Sequence, residues 1–322
     1  MADWPQKIKQ AYARLHASPE APYKTALEYS AYYSQATGCN FYLKQEHLQK
    51  TGSFKYRGAL NKLSCLSKEA TAKGVITASS GNHGMAAALA ANKLDIPITI
   101  HVPKSVSEAK LAGIQLYGAI IHKVDGDSLA AELSAKEAAE REGMTFVSPY
   151  NDLDIIAGQG TIGLEILDQR PNVDAVFIAV GGGGLISGIG SYIKAVKPNT
   201  DIIACWPENS PAMHHCLKAG KIYEAPELET LSDGTAGGVE PGAITFDLCE
   251  TIIDKSLLVS EVEIREALKE FAEKERQIIE GAAAVALAAA KKGAGDYAGK
   301  NIAVVLCGRN IALGKFRQLL DE

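Results

Sequence analysis

The sequence predicts an α/β fold built from two open, mostly parallel twisted sheets flanked by helices. From Val75 onward, short β-branched runs alternate with stretches of helical periodicity, in one series before residue 150 and another after it. Strands that alternate with helices are joined by right-handed crossovers and therefore pair in parallel. A chain of 322 residues is also longer than one average domain. We therefore expect two lobes, each with its own sheet.

The first series lies between residues 75 and 147. Its β-branched runs predict strands at 75–77, 98–102, 119–122 and 145–147, and the segments between them predict helices at 85–92, 107–112 and 128–141. Turn residues follow at 149–152, where we expect the chain to cross between lobes. These assignments predict a small domain of residues 74–149 and a large domain of residues 1–73 and 150–322.

The second series lies between residues 155 and 306. Apolar runs predict strands at 175–180, 201–206 and 302–306, and helical patterns occur at 155–168, 185–196, 261–274 and 281–290. The region 219–242 contains five Gly and two Pro, a composition typical of loop or surface.

Composition excludes several classes of protein. The chain is 47% hydrophobic and 22% charged with a net charge of −5, and it has no basic stripe to attract nucleic acid or an anionic membrane. Its longest apolar stretch, Gly281 to Ala290, is far shorter than the roughly 20 residues of a membrane-spanning helix. The first ten residues lack the apolar core of a secretory signal, and the six scattered cysteines include no C-x-x-C pair. We expect a cytoplasmic protein.

Lys55 is the candidate nucleophile. A lone lysine is most often a solvated surface charge, but Phe54 and Tyr56 flank this one with apolar bulk. Ser53 and Gly58 are small enough to admit a ligand. Such surroundings desolvate the ammonium group and favour the neutral amine, which can form a Schiff base with an aldehyde.

Two glycine-containing runs follow predicted strands and precede predicted helices. The first, Ser79 to Gly84, reads Ser-Ser-Gly-Asn-His-Gly and suits a carboxylate, because a helix N-terminus offers free N–H groups and positive potential. A simple helix cap at Ser79 or Asn82 is the alternative, although six small or polar residues exceed what one cap requires. The second, Gly181 to Gly184, matches neither the dinucleotide fingerprint nor a P-loop, so a smaller phosphorylated cofactor is favoured.

These three motifs, with Ala157 to Gly163 and Cys307 to Ile311, make the chain resemble one enzyme group. It is similar to the serine/threonine dehydratases and serine racemases among the fold-type II pyridoxal-phosphate enzymes, which share the tryptophan synthase β fold. The similarity extends in order over nearly the whole chain. It implies pyridoxal 5′-phosphate as cofactor, bound as a Schiff base on Lys55, and a homodimer. The large domain would bind the cofactor and the small domain would close over an amino-acid substrate.

The resemblance also implies roles for individual positions. Phe54 would pack beside the cofactor ring and Asn82 would donate to its 3′-oxygen. Glu280 falls near the ring, and Asp233 and Gly234 fall near the substrate side chain. The phosphate would be held by Gly181, Gly182, Gly183 and Gly184, and the substrate carboxylate would be received by Ser79, Gly81, Asn82 and His83.

Cys307 occupies the position that faces the pyridine nitrogen in the resembling enzymes. A neutral thiol does not protonate that nitrogen as a carboxylate would, which favours prompt loss of a β-hydroxyl group over transamination. A small core thiol is the structural alternative. The implied reaction is the dehydration and deamination of L-threonine, L-serine or a similar β-hydroxy amino acid to a 2-oxo acid and ammonia, with Lys55 removing the Cα proton.

Ser80 leaves a second function open. In the resembling racemases a serine here exchanges a proton on the substrate face opposite the lysine, whereas several dehydratases have alanine. A serine or aspartate/hydroxyaspartate racemase, or a bifunctional enzyme, is therefore the alternative. The loop 233–238 differs from the commonest dehydratase loops, which leaves 3-hydroxyaspartate or a hydroxyectoine-pathway intermediate open as substrate. A catalytically silent binding subunit is a third hypothesis, against which the presence of Lys55, Ser80 and Asn82 argues.

No metal and no feedback regulation are expected. Trp206 stands where the racemase-type metal site has a glutamate, and the adjacent pair His214 and His215 is interpreted as a surface pair rather than as ligands. The chain ends soon after Ile311, which leaves no room for the regulatory domain of the biosynthetic threonine dehydratases. Inhibition by isoleucine is therefore not expected.

Overall fold

A computed structural model describes residues 3–321 of the chain. These residues form fourteen α-helices and ten β-strands. The helices are α1 (Trp4–Ala17), α2 (Ala31–Thr37), α3 (Lys55–Ser64), α4 (Lys68–Lys73), α5 (Asn82–Lys93), α6 (Glu108–Gln115), α7 (Ser128–Glu142), α8 (Leu153–Gln169), α9 (Gly184–Val196), α10 (Ala212–Ala219), α11 (Ile244–Ile252), α12 (Glu261–Lys274), α13 (Gly281–Gly293) and α14 (Leu313–Asp321). The strands are β1 (Leu27–Tyr29), β2 (Asn40–Lys44), β3 (Val75–Ala78), β4 (Ile98–Pro103), β5 (Ile120–Val124), β6 (Thr145–Phe146), β7 (Ala175–Ala179), β8 (Asp201–Pro207), β9 (Lys255–Val259) and β10 (Asn301–Val305).

The strands form two separate sheets, as the sequence predicts. The larger sheet has six strands in the order β1-β2-β10-β7-β8-β9, and only the β1–β2 pair is antiparallel. The smaller sheet has four parallel strands in the order β5-β4-β3-β6, all drawn from residues 75–146. The predicted fold class is confirmed.

Burial explains why the central strands read as continuous apolar runs. All five residues of β7 are buried, and helices α8, α9 and α13 bury their apolar residues around the larger sheet. A strand covered on both faces needs apolar side chains on both, so the usual alternation disappears. Strand β5 lies at the edge of the smaller sheet and is mostly exposed.

The predicted strands and helices after residue 75 all form, with boundaries shifted by a few residues. The largest shift concerns α5, which begins at Asn82 rather than at residue 85 and so incorporates part of the Ser79 to Gly84 run. Residues 221–242 form turns and loops, as expected. The sequence reasoning assigned no elements before Val75, where β1, β2 and four helices lie, and it also missed β9, α10, α11 and α14.

One expectation about side chains is wrong. His214 was expected at the surface beside His215, but it is only 6% exposed. Its ring lies 5.0 Å, between centroids, from the fully buried indole of Trp206. The α10 helix places the two histidines about 100° apart, so one faces the core while its neighbour faces outward.

The strand topology brings three motifs to the same side of the molecule. Strand β3 leads into Ser79, β7 leads into Gly181, and β10 leads into Cys307. Ligands of open parallel sheets bind beyond the carboxyl ends of the strands, at the loops that precede helices. Within residues 3–321, no helix has the length and apolar character needed to cross a membrane.

Candidate active site

Lys55 is the first residue of α3, and its side chain is half-buried. Its Nζ atom donates to the carbonyl oxygen of Pro149 at 2.8 Å and lies 5.2 Å from the ring centroid of Phe54. Burial lowers the pKa of the Lys55 amine from 10.5 to about 8, although Cys307 and Glu280 oppose the shift. Roughly a tenth of the amine is therefore neutral at pH 7, against less than about a thousandth for an unshifted lysine, and the neutral form is the one that acts as a nucleophile or base.

Phe54 and Cys307 are joined through the backbone. The N–H of Phe54 donates to the carbonyl oxygen of Cys307 at 3.0 Å, and Ser53 forms an isolated bridge with Gly308. Burial raises the pKa of the Cys307 thiol well above its usual range, so the thiol stays neutral. The hydroxyl oxygen of Ser53 is buried and has no hydrogen-bond partner among the described residues.

The Ser79 to Gly84 run forms the loop between β3 and α5. Gly81 is the N-cap residue, and no side chain caps the helix, so the N–H groups of the first turn are left for a ligand. Gly84 allows a close turn, because a Cβ there would lie 2.3 Å from the carbonyl oxygen of Ser79. Ser79, Ser80, Gly81 and Asn82 are all half-buried along this loop.

The imidazole of His83 is turned away from the loop. Its Nε2 lies 3.1 Å from the Thr77 hydroxyl and 3.2 Å from the Val147 carbonyl oxygen. Burial, together with the nearby ammonium of Lys55, lowers the pKa of His83 to about 3. The ring is therefore neutral, and its Nε2 is directed at Thr77 and Val147 rather than at the loop.

The four glycines from Gly181 to Gly184 form a turn between β7 and α9. A Cβ on Gly182 would lie 2.6 Å from the ring of Tyr150, and one on Gly181 would lie 2.9 Å from the Thr235 carbonyl oxygen. Gly183 has φ +87°, a left-handed conformation that favours glycine, and it caps α9 without a side chain. The turn therefore presents bare backbone N–H groups at a helix N-terminus, the arrangement that binds phosphate.

A polar network joins Glu280, Asn82 and Asn310. Asn82 Nδ2 donates to Glu280 Oε1 at 2.7 Å, and the backbone N–H of Asn310 donates to Glu280 Oε2 at 2.8 Å. Asn310 Nδ2 also donates to Asn82 Oδ1 at 2.6 Å, which fixes the orientation of the Asn82 amide. Burial raises the pKa of Glu280 to about 7 despite these two donors. The sequence reasoning missed Asn310, although it lies within the Cys307 to Ile311 motif.

Asp233 and Gly234 differ in their exposure to solvent and in their distance from Glu280. The Asp233 side chain is 60% exposed and lies 3.6 Å from Lys110 of α6. Gly234 is closer to the network, because a Cβ there would be 3.5 Å from Glu280 Oε1 and 3.2 Å from the Ala282 Cβ. The structure therefore brings Gly234, and not the Asp233 carboxylate, next to Glu280.

Tyr150 connects the loop that contains Asp233 and Glu240 to the glycine turn. A role for this residue was not predicted from the sequence. Its hydroxyl accepts from the backbone N–H of Glu240 at 2.8 Å, and its ring covers Gly182. Lys136 of α7 and Asn151 bind the two carboxylate oxygens of Glu240 at 2.6 and 3.0 Å. These contacts link the loop to a helix that packs on the smaller sheet.

The residues present fit pyridoxal phosphate. The glycine turn is a cradle that any Cβ at Gly182 would fill, and the orphaned hydroxyl of Ser53 lies in the segment beside Cys307 and Gly308. The neutral amine of Lys55 is suited to bind the aldehyde. Among residues 3–321, no group of three His, Cys, Asp or Glu side chains is arranged to hold a metal ion.

Comparison with known families defines the class of this protein. The model of the family described as pyridoxal-phosphate dependent enzymes matches residues 19–308. The chain belongs to this family. The prediction of the cofactor and of the enzyme group from the sequence is confirmed.

Individual relatives show which members of the family the chain is similar to. The chain is 40% identical to an L-threonine ammonia-lyase of Thermotoga maritima over 98% of this chain and 78% of the relative. Among solved structures, it superposes with a TM-score of 0.92 on the processed form of threonine deaminase isoform 2 from Solanum lycopersicum, at 35% identity, covering 98% of this chain and 93% of the other. Maize serine racemase gives a TM-score of 0.91 at 32% identity, covering 98% and 95% of the two chains.

Proposed function

We propose that the protein catalyses β-elimination from L-threonine, L-serine or a similar β-hydroxy amino acid, releasing a 2-oxo acid and ammonia. The observation that carries the proposal is the Lys55 amine, whose pKa is lowered to about 8, in a chain that also has two glycine-containing helix N-termini without side-chain caps. The relatives named threonine ammonia-lyase and threonine deaminase support the same reaction class.

The cofactor would be held by groups of known geometry. The N–H groups from Gly181 to Gly184 would bind the phosphate, Asn82 would donate to the 3′-oxygen, and Phe54 would pack beside the ring. Cys307 would face the ring nitrogen as a neutral thiol. Bound pyridoxal phosphate supplies an electron sink that makes the Cα–H bond of an attached amino acid acidic.

The chain's own residues would then orient the substrate and move its proton. The N–H groups at the start of α5, next to Ser79 and Gly81, would bind the substrate carboxylate. Lys55 would accept the Cα proton as a general base, because its lowered pKa leaves part of the amine unprotonated. Asp233 and Gly234 would lie on the side of the substrate side chain. Residues 74–149 would act as a small domain that closes over the large one and excludes water from this step.

A panel of β-hydroxy amino acids, assayed for 2-oxo acid and for ammonia, tests the proposal. We expect turnover of L-threonine or L-serine by the parent and none by Lys55→Ala, which should also lose the near-visible absorption of the bound cofactor. Lys9→Ala, which removes an exposed lysine on α1, is the matched control and should keep both. A fully active Lys55→Ala variant, or a cofactor spectrum that no amino acid changes, would contradict the proposal.

Racemisation is the second candidate function, and Ser80 is the residue that favours it. Its hydroxyl lies on the half-buried loop between β3 and α5, where a second proton donor would be needed. The similarity to maize serine racemase supports it further. Incubation with L-serine followed by separation of the enantiomers is the test. D-serine above the level without enzyme, lost selectively in Ser80→Ala, supports racemisation, whereas pyruvate alone excludes it.

A further inference from the structure

Four buried charges lie behind the lysine helix and take no part in the proposed chemistry. Lys44, Glu46, Arg57 and Glu165 form this buried charge cluster, and each side chain is 0% exposed. They come from β2, the short helical turn 46–48, α3 and α8. Their formal charges sum to zero.

Arg57 is the centre of the buried charge cluster. Its Nε and Nη2 atoms donate to the two carboxylate oxygens of Glu46, each at 2.8 Å. Its Nη1 and Nη2 atoms donate to the two oxygens of Glu165 at 2.7 and 2.9 Å. The hydroxyl of Thr161 and the carbonyl oxygen of Tyr23 accept further bonds from the same guanidinium, so its planar donors are fully used. This geometry fixes the Arg57 side chain in direction as well as in position.

Stability alone does not account for the buried charge cluster. Removing an ion from water costs several kcal/mol, on the order of what the pairing returns, and apolar side chains of similar volume often stabilise a fold as well. What two bidentate pairs provide, and apolar contacts do not, is a fixed orientation.

The contacts of α3 show what Arg57 adds to its packing. Helix α3 meets α8 through glycines, since a Cβ on Gly158 would lie 2.6 Å from the Cα of Gly58. Across this contact the Gly58 N–H donates to Gln159 Oε1 at 3.1 Å and Asn61 Nδ2 donates to the Asp154 carbonyl oxygen at 2.7 Å. These bonds join α3 to α8 alone, whereas Arg57 also joins α3 to Glu46 beyond β2. Arg57 lies two residues after Lys55, about 200° around the helix, so its bonds hold the face of α3 opposite the amine.

We propose that Arg57, bound to Glu46, is a positioning residue that fixes the rotation of α3 and thereby places the Lys55 amine. Glu46 follows β2, and β2 pairs with β10, which leads to Cys307. The Arg57–Glu46 pair thus ties the amine to the strand end where the cofactor ring would lie. The inference rests on the proposed function only in taking Lys55 as the reacting amine.

Two charge-neutral double variants separate positioning from general stability. The anchor variant, Arg57→Met with Glu46→Gln, keeps the Lys44–Glu165 pair, whose Nζ–Oε2 distance is 2.6 Å. The control variant, Lys44→Met with Glu165→Gln, keeps both bonds between Arg57 and Glu46. It removes the charge of the second carboxylate bound to Arg57 but leaves one side-chain oxygen at position 165 to accept from the guanidinium. Each removes one buried cation and one buried anion, so the buried charge cluster stays neutral in both variants. Urea unfolding first establishes that both holoenzymes are folded under the assay conditions.

The readouts are kcat, KM and the rate at which the full-length apoprotein recaptures pyridoxal phosphate, followed by its near-visible absorption. A misplacement of about 1 Å costs on the order of 100-fold in rate, so we expect the anchor variant to lose about that factor in kcat and in recapture, with KM changed less. The control variant should lose less than about threefold, because both bonds from Arg57 to Glu46, which tie α3 to the end of β2, remain.

Each outcome decides the proposal. If the folded anchor variant and the control variant lose the same factor in kcat and in recapture rate, Arg57 has no positioning role. If the anchor variant does not fold, Arg57→Lys keeps the charge but not the two-donor fork, and recapture at the parental rate would then overturn the proposal. Borohydride reduction of the parent followed by peptide mapping shows separately whether the cofactor is attached to Lys55, so failure of the proposed function is distinguishable.

Discussion

The burial of the Lys55 amine predicts that a methionine at this position stabilises the cofactor-free protein. Folding transfers the amine to a site where burial lowers its pKa from 10.5 to about 8. Below pH 8 the folded state must therefore hold a desolvated ammonium group or release its proton. At about 1.4 kcal/mol per pKa unit, this costs the folded state about 3 kcal/mol at pH 7. Lys55→Met removes the cost while keeping most of the side-chain volume.

The sign of the pH dependence makes this prediction specific. Between pH 8 and 10.5 the unfolded chain binds more protons than the folded one, so the parent gains stability as the pH rises. The advantage of Lys55→Met should therefore shrink from about 3 kcal/mol at pH 7 to about 1 kcal/mol at pH 9.5. Urea unfolding of both apoproteins at the two pH values measures this difference.

The control and the refuting result follow from the same reasoning. Lys9→Met also removes an ammonium group, but from an exposed position on α1, and should give no gain that varies in this way. Two results would refute the assignment of a desolvated amine. One is a Lys55→Met apoprotein that is less stable than the parent at pH 7, and the other is a gain in the free energy of unfolding that is the same at pH 7 and pH 9.5.

Two further predictions concern the glycine turn and the buried carboxyl group. Gly182→Ala places a Cβ 2.6 Å from the Tyr150 ring, so we expect the dissociation constant of pyridoxal phosphate to rise at least about tenfold by absorbance titration. In Gly295→Ala the added Cβ meets no atom within 4 Å, so this variant should keep the parental dissociation constant. Equal dissociation constants for the two variants would contradict the proposal that the glycine turn binds the phosphate. Because burial raises the pKa of Glu280 to about 7, the parent apoprotein loses stability as the pH rises from about 4.5 to 7. Glu280→Gln should therefore be more stable than the parent at pH 8 but not at pH 4 in urea unfolding, whereas exposed Glu208→Gln should show no such crossover.

The fold after Val75 could be predicted because its patterns are local. A buried parallel strand such as β7 is a continuous apolar run, and a glycine turn follows it directly in the sequence. The region before Val75 gave no such signal. Strand β2 ends in Lys44 and α3 contains Arg57, two charges that suggest exposure but are fully buried because they pair with Glu46 and Glu165. The partner Glu165 lies more than 100 residues further along the chain, and a pairing at that separation is not visible in a single sequence.

The candidate site was predictable to a similar extent. Lys55, Asn82 and the glycine turn belong to motifs whose chemistry can be read from adjacent residues. Asn310 and Tyr150 act through partners that are distant in sequence, Asn82 for the first and Gly182 for the second. The turned ring of His83 was equally hidden, because its partner Thr77 lies on the preceding strand and not in the loop.

The electrostatics of the site indicate where its charge comes from. Burial lowers the pKa of Lys55 to about 8 and raises the pKa of Glu280 to about 7, and both shifts favour the neutral form. Cys307 is also held neutral by its raised pKa. Helix α5 begins at Asn82, which donates to Glu280, and α9 begins at the glycine turn; neither has a side-chain cap, and each adds positive potential from free N–H groups. Surroundings that disfavour charged side chains, together with two uncapped helix N-termini, favour a ligand that brings two anionic groups, as a phosphate on the cofactor and a carboxylate on the amino acid do.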